Sequence, residues 1–90
     1  TDIGDVLKER GSRYGKFMDH ARLSQQLKSA LMMHDPDKYD RMAADQKEAL
    51  EMICHKMARI MNGDPDYIDN FVDIAGYATL VANRLEGKIT

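Results

Sequence analysis

The stretch that decides the fold is DQKEALEMICHKMARIMNGDP, residues 45–65. Its apolar side chains recur every three or four residues, which is the spacing of one face of an α-helix and not of a β-strand. Asn62-Gly63 follows this pattern as a helix C-cap does, while Asp64-Pro65 offers an N-cap and a first-turn proline for another helix. The stretch therefore predicts two helices with a break at Gly63. The stripe expected to be buried on the first of them is Leu50, Ile53, Cys54, Met57, Ile60 and Met61.

The same punctuation extends outward over the rest of the chain, where no alternating run of β-branched or aromatic residues predicts a strand. The predicted helices run from Asp2 to Arg10, ended by Gly11, from Phe17 to Met33, from Asp45 to Met61 and from Pro65 to Leu85. Residues His34 to Ala44 are predicted to form a polar connection with at most one helical turn after Pro36. Residues Glu86 to Thr90 are predicted to form a frayed tail. We therefore expect an all-α, four-helix bundle-like domain. Helices three and four should form an antiparallel hairpin around Gly63. The expected buried face of helix four is Ile68, Phe71, Val72, Ala75, Ala78, Ala82 and Leu85.

The length of the chain sets its domain count and favours self-association. Its 90 residues are 43% hydrophobic and 31% charged, which suits one globular core, so residues 1–90 are predicted to form a single domain. A chain this short buries a modest fraction of its surface, and it has no cysteine pair or zinc-finger spacing to stabilise it. A homo-oligomer is therefore expected.

The charge and the cysteine content limit the expected classes of binding partner and the expected cellular location. The formal net charge is -2, from 13 basic and 15 acidic residues scattered along the chain, which argues against nucleic acid as a partner. No apolar run approaches membrane-spanning length, so a membrane partner is not expected either. Cys54 is the only cysteine, and a lone thiol is typical of a reducing compartment, so a cytoplasmic location is predicted.

Two short acidic motifs bear on function. Glu48-Ala-Leu-Glu51 lies on the third predicted helix and Asn70-Phe-Val-Asp73 on the fourth. This pair resembles the Glu-x-x-Glu and Glu-x-x-Asp motifs of the all-α, MazG-like nucleotide pyrophosphohydrolases, although Asn70 stands where that family has an acid. The neighbouring Asp69 is the expected substitute for that acid. The resemblance implies catalysis by Glu48, Glu51 and Asp73, and a Mg²⁺ ion held by Glu48, Glu51, Asp69 and Asp73. Mg²⁺ prefers oxygen ligands and bridges phosphate oxygens in triphosphate chemistry.

A second likeness covers more of the chain. Small phage-encoded helical proteins of unassigned activity carry a "YGKF…AR.SQ.LK" element, a "Lys-x-x-Arg-Ile" element and an "Asp-Ile-Ala-Gly-Tyr-Ala" element. The chain is similar to them at residues 14–17, 21–22, 24–28, 56–60 and 73–78.

The nucleotide-binding prediction adds basic and aromatic residues to the acidic ones. Lys56 and Arg59 would neutralise phosphate, while Tyr14 or Tyr77 would contact the base or sugar. A hairpin centred on Gly63 places Glu51 level with Asp73, and Lys56 level with Asp69. The acidic groups lie off the faces that this hairpin buries. They can therefore converge only where another helix or another subunit packs alongside.

Each of these residues also has a purely structural interpretation. Glu48 fits the capping-box partner of Asp45, and Asp69 is favoured by the helix dipole in a first turn. Lys56 and Asp69 fit an ordinary salt bridge. His20 fits a core histidine, and Gly76 a site of close helix approach.

The functional expectation is a protein that binds a nucleotide or another phosphorylated metabolite, with Mg²⁺-dependent nucleoside triphosphate pyrophosphohydrolase activity as its enzymatic form. One alternative keeps the pocket without turnover, as a nucleotide-sequestering protein. The other is a protein-binding module that inhibits a host factor through exposed apolar residues such as Met32, Met33 and Leu80.

Overall fold

The computed structural model describes residues 2–88, and this range is helical with no strand. Its helices are α1 (Ile3–Tyr14), α2 (Phe17–His34), α3 (Pro36–Arg41), α4 (Ala44–Asn62) and α5 (Ile68–Leu85). The all-α prediction is confirmed, with one helix more than the four expected. α4 lies between α2 and α5 and packs along both, while α1 contacts α2 and α4 less extensively. None of the helices described is long and apolar enough to span a membrane.

The first helix is longer than predicted. α1 passes through Gly11 and ends at Gly15, whose φ of 78° lies in the left-handed region that favours glycine. The prediction that Gly11 ends the helix is therefore wrong. A β-carbon at Gly11 would meet nothing within 4 Å, so its position in the helix reflects no close approach. The extra helix, α3, starts where the Asp35 side chain accepts a hydrogen bond from the backbone N–H of Lys38.

The start of α4 differs from the predicted capping box. Gln46, not Glu48, folds back, and its side-chain oxygen accepts a hydrogen bond of 2.9 Å from the backbone N–H of Ala43. Asp45 instead accepts two hydrogen bonds, of 2.7 and 2.8 Å, from Arg84 near the end of α5. The capping-box interpretation of Asp45 and Glu48 is therefore wrong, because the helix begins one residue earlier at Ala44.

The link between α4 and α5 is longer than predicted. α5 begins at Ile68 and not at Pro65, because Asp64 closes a turn by accepting from the backbone N–H groups of Asp66 and Tyr67. The longer link shifts the pairing by about one helical turn. Lys56 therefore pairs with Asp73 at 2.8 Å and not with Asp69, and Glu51 does not lie level with Asp73.

Two interhelical links pack directly against each other: the one at Gly15, between α1 and α2, and the one at Gly63, between α4 and α5. The backbone N–H of Asp64 donates to the carbonyl oxygen of Arg13 at 2.7 Å. A β-carbon on Gly63 would lie 2.2 Å from that same oxygen, and one on Gly15 would lie 1.9 Å from the carbonyl oxygen of Asn62. Only glycine permits this backbone approach. The joint between α1 and α2 is thereby held against the joint between α4 and α5.

Burial within the single chain differs from the sequence expectation. The buried hydrophobic residues of the described range are small: Ala49, Cys54 and Ala58. The buried polar residues are His20, Ser24, Lys56 and Asn70. The predicted burial of the apolar stripe on α5 is wrong for the single chain, because that stripe is exposed and α5 turns its polar side towards α4.

Candidate functional site

The docked joints bring two tyrosines and two arginines together. The Arg59 guanidinium carbon lies 4.1 Å from the centre of the Tyr14 ring, and that of Arg13 lies 4.4 Å from the centre of the Tyr67 ring. The two tyrosine rings meet edge to face, with centres 5.9 Å apart. Such cation–π contacts fix the planes of the guanidinium groups. These four side chains line a cavity of about 390 Å³ together with Val6, Glu9 and Arg10.

A larger cavity of about 550 Å³ adjoins the first and shares Arg10, Tyr14 and Arg59 with it. Its other lining residues are Leu7, Gly11, Gly15, Lys16, Phe17 and His20. We call the two cavities together the arginine–tyrosine cleft. Its walls come from α1, the start of α2, the end of α4 and the link before α5, so the cleft depends on the docking of the two joints.

The cleft is electropositive. Arg10, Lys16 and Arg59 make no ion pair with any carboxylate among residues 2–88, and only Arg13 does, with Glu9 at 3.8 Å on the surface. Arginines present several donors in a planar fork that matches the oxygens of phosphate or carboxylate. The unpaired positive charge of the cleft therefore suits an anionic ligand.

Two buried polar atoms in the cleft have no hydrogen-bond partner. They are Nε of Arg59 and Nδ1 of His20, a residue that is 4% exposed. Ser24 Oγ, one turn further along α2, and Asn70 Nδ2 on α5 are also without a partner. A buried donor left unsatisfied costs about 1–3 kcal/mol. An anion bound in the cleft would accept a hydrogen bond from Arg59 Nε, and from His20 Nδ1 in the tautomer that carries the proton on that nitrogen.

Histidines border the positive region. The rings of His20 and His55 lie 5.9 Å apart, centre to centre. Burial, followed by the positive charges of Arg59 and Lys28, lowers the pKa of His55 to about 4, and burial together with Arg59 lowers the pKa of His20. Both imidazoles are therefore neutral at pH 7. A bound anion would oppose the effect of the cations and raise both pKa values.

The structure brings some of the predicted binding residues together and separates others. Arg59 and Tyr14 meet in the cleft. Lys56 is buried between α4 and α5, where its ammonium group is held by Asp73. Tyr77 lies elsewhere, in a separate cavity of about 290 Å³ between α4 and α5. The residues lining that cavity are Asp45, Glu48, Ala49, Tyr77, Leu80 and Val81.

The four predicted metal ligands have different surroundings. The Tyr39 hydroxyl donates to Glu51, and this bond raises the pKa of Tyr39 to about 12. The Tyr67 hydroxyl donates to Asp69 at 2.8 Å and its pKa is likewise raised. Across the part of the chain described, no three His, Cys, Asp or Glu side chains are grouped closely enough to hold a metal ion. Within residues 2–88 the four predicted carboxylates therefore do not come together as a metal site, and the Mg²⁺ site stays a prediction.

Comparison with known proteins places the chain in a family. A domain of unknown function, DUF6378, matches residues 4–85. The chain belongs to this family. No curated protein and no solved structure matches it. The matched range contains the whole arginine–tyrosine cleft. The match carries no activity, so the likenesses to MazG-like pyrophosphohydrolases and to phage-encoded proteins stay predictions.

Most of the cleft was missed by the sequence reasoning. Arg10, Arg13, Lys16, Phe17 and His20 were not proposed as ligand-binding residues, and neither was Tyr67. A signal for the first four exists in residues 10–17, RGSRYGKF, where three basic and two aromatic side chains occur within eight residues. Basic residues interleaved with aromatic ones are typical of sites that bind phosphate and stack a base. The contributions of His20 and Tyr67 depend on long-range packing and have no such local signal.

Proposed function

We propose that this chain binds a nucleotide or a related phosphorylated small molecule in the arginine–tyrosine cleft. The observation that carries the proposal is the burial of Arg59 Nε and His20 Nδ1 without partners, at the wall of a cavity that Arg10 and Lys16 also line. Phosphate oxygens accept several charge-assisted hydrogen bonds at once. A phosphorylated ligand would therefore accept from Arg59 Nε, and from His20 Nδ1 when the imidazole carries its proton there, while it neutralises the cations.

Aromatic rings supply the second half of the ligand's environment. Tyr14 and Phe17 line the larger cavity, and Tyr67 lines the smaller one. Flat aromatic faces stack on bases of any identity, so they support binding of a nucleobase without fixing which base. A volume of about 550 Å³ falls within the range of small-molecule sites.

The bundle arrangement is part of this proposal. In this arrangement, α4 and α5 form an antiparallel hairpin within a bundle-like domain. Two ion pairs support it: Asp45 near the start of α4 pairs with Arg84 near the end of α5, and Lys56 further along α4 pairs with Asp73 nearer the start of α5. The hairpin ends at the link that carries Gly63 and Tyr67. It thereby holds Arg59 and Tyr67 beside the α1–α2 joint, where they form one wall of the cleft.

Retention of the ligand is favoured over its hydrolysis. Glu51 and Asp73, two of the carboxylates that the MazG-like resemblance assigns to catalysis, are engaged by Tyr39 and Lys56 respectively. The protein is thus proposed to sequester its ligand. Mg²⁺-dependent pyrophosphohydrolysis is the enzymatic alternative, and it requires acidic side chains from a second chain near the bound phosphates.

Calorimetric titration with ATP, GTP and inorganic triphosphate tests binding. The decisive pair of variants is Arg10→Met and Arg41→Met, because both arginines are exposed and both changes remove one positive charge, but only Arg10 lines the cleft. We expect Arg10→Met to weaken binding about tenfold, the loss of one charge-assisted contact of about 1.4 kcal/mol, and Arg41→Met to leave the affinity unchanged. Equal effects of the two changes, or no heat with any of the three compounds, would refute the proposal.

Mass spectrometry separates sequestration from turnover. After incubation of the protein with ATP and Mg²⁺, we expect intact ATP to be recovered from the protein fraction. Release of AMP and pyrophosphate, abolished by Glu51→Gln, would instead establish the enzymatic alternative. Binding in the cleft and hydrolysis are thus scored by different readouts.

A further inference from the structure

Helix α5 is packed with its apolar side outward. Phe71 is 53% exposed, and Ile68, Val72 and Leu85 are more exposed still, whereas Asn70 is 1% exposed on the side that faces α4. An amphipathic helix normally buries its apolar stripe and exposes its polar side. The charged residues of α5, which are Asp69, Asp73 and Arg84, lie off the exposed stripe.

The adjoining side of α4 continues this apolar surface. Leu50, Met57 and Met61 are exposed on one side of α4, at the three- and four-residue spacing of a single helix face. Between the helices runs a groove of about 320 Å³ lined by Leu50, Ile53, Ala78 and Val81, among others, which joins the exposed parts of α4 and α5. We call this surface the apolar face. Its exposed large residues are Leu50, Met57, Met61, Ile68, Phe71, Val72 and Leu85.

We propose that a second copy of this chain docks on the apolar face, so that two α4–α5 pairs pack against each other. The seven large residues of the apolar face are 38–75% exposed, so together they offer an apolar area on the order of the about 800 Å² that each partner contributes to a standard protein interface. None of the seven residues is charged, so two copies can meet across a two-fold axis without opposing like charges.

The small hydrophobic core argues that the partner on the apolar face is one that is always present. Within residues 2–88 the buried hydrophobic side chains are two alanines and one cysteine, which contribute little hydrophobic free energy. Covering the apolar face would therefore add much of the hydrophobic burial that the single chain lacks. A second copy of the same chain is available wherever the protein is made. By covering the apolar face it would supply this hydrophobic burial, as the subunits of an obligate dimer do for each other.

Docking on the apolar face leaves the arginine–tyrosine cleft open. Met57 lies on the apolar face and Arg59 lines the cleft, and two residues along a helix correspond to a rotation of about 200°. The two surfaces therefore occupy opposite sides of α4. The inference stands independently of ligand binding, and the two can fail separately.

Sedimentation velocity and light scattering of the wild-type chain should give twice the chain mass of 10.3 kDa at micromolar concentration. The melting temperature should rise with protein concentration, since association stabilises only the folded form. A folded particle of one chain mass, with a melting temperature independent of concentration, would overturn the proposal.

Two matched substitutions on α5 locate the interface. Phe71 and Leu80 are 53% and 50% exposed, but only Phe71 belongs to the apolar face. In a monomer, both Phe71→Asp and Leu80→Asp would be tolerated equally. We expect Phe71→Asp to abolish the dimer, as a folded monomer or with loss of the helical circular dichroism signal, and Leu80→Asp to keep it. Retention of the dimer in both variants, or loss in both, would contradict docking at this face.

Discussion

The ion pair between the buried Lys56 and the half-exposed Asp73 yields the sharpest prediction about stability. The Lys56 side chain is 11% exposed and its ammonium nitrogen lies 2.8 Å from Asp73 Oδ2, while the Asp73 side chain is 46% exposed. Asp73→Asn removes the charge partner of a buried ammonium group. Breaking a fully buried pair costs about 3–5 kcal/mol and a surface pair is worth about 0–1 kcal/mol. Because one partner is half-exposed, we expect a loss of about 2 kcal/mol.

The reverse substitution should cost less. Lys56→Met leaves Asp73 accessible to water and keeps an apolar stem of similar length in place, so we expect a loss below about 1 kcal/mol. The double variant Lys56→Met with Asp73→Asn should be about as stable as Lys56→Met alone, since no buried charge is left unpaired. The expected coupling energy between the two positions is therefore more than about 1 kcal/mol.

Urea denaturation followed by far-ultraviolet circular dichroism measures all four proteins, at one fixed protein concentration so that association contributes equally. Additive losses in the double variant would refute the buried-pair reasoning. A stable Asp73→Asn protein would also return Asp73 to the role that the sequence predicted for it, as a ligand to metal or substrate.

Three further predictions concern acid stability, the docked joints and the tyrosine that is hydrogen-bonded to Glu51. Because the pKa of His55 is about 4 in the folded protein and about 6.5 for a free imidazole, the unfolded chain binds more protons between these two pH values. The free energy of unfolding should therefore fall as the pH drops from 6.5 to 4, by less than the about 3 kcal/mol of the full shift, because solvent screens this partly buried imidazole. His55→Gln should flatten this part of a pH series of denaturation curves, and an unchanged slope would contradict the assignment. Gly63→Ala should lower the free energy of unfolding by more than about 2 kcal/mol, and with it the melting temperature, because the added β-carbon would overlap backbone atoms. The control Gly11→Ala should instead stabilise the protein by about 0.5–1 kcal/mol, because its β-carbon meets nothing and alanine favours the helix. Tyr39→Phe should cost about 1 kcal/mol and remove from an absorbance titration the phenol that ionises near pH 12; persistence of that component would show that Glu51 does not accept its hydrogen bond.

The helices themselves were largely predictable from the sequence. The start of α2 at Phe17, the helical turn after Pro36 and the end of α5 at Leu85 all agree with the expected bounds. Periodicity, prolines and polar caps act within a few residues of each other, so a local pattern carries the information. The local errors were Gly11, which is tolerated inside α1, the capping box, which Gln46 and not Glu48 forms, and the Asp64-Pro65 turn, which is not a helix start.

Little of the candidate site could be predicted. Arg59 and Tyr14 were named from the sequence and meet in the cleft, but nothing local indicated that His20 and Tyr67 would join them. The acidic residues illustrate the same limit. A shift of one turn in the pairing of α4 with α5 gives Asp73 to Lys56, and no spacing within either helix specifies that register.

The sequence by itself determined that this protein is all-α and where most of its helices lie. It also determined that α5 carries an apolar stripe, which is stable only when another surface covers it. The tertiary structure alone decided that α5 turns Asn70 and Asp73 towards α4, and that two glycine joints dock to form an electropositive cleft. The physical reason lies in the range of the interactions. Helical hydrogen bonds and caps join residues close in sequence, whereas hydrophobic burial depends on area alone and does not specify whether the covering surface comes from the same chain or from another.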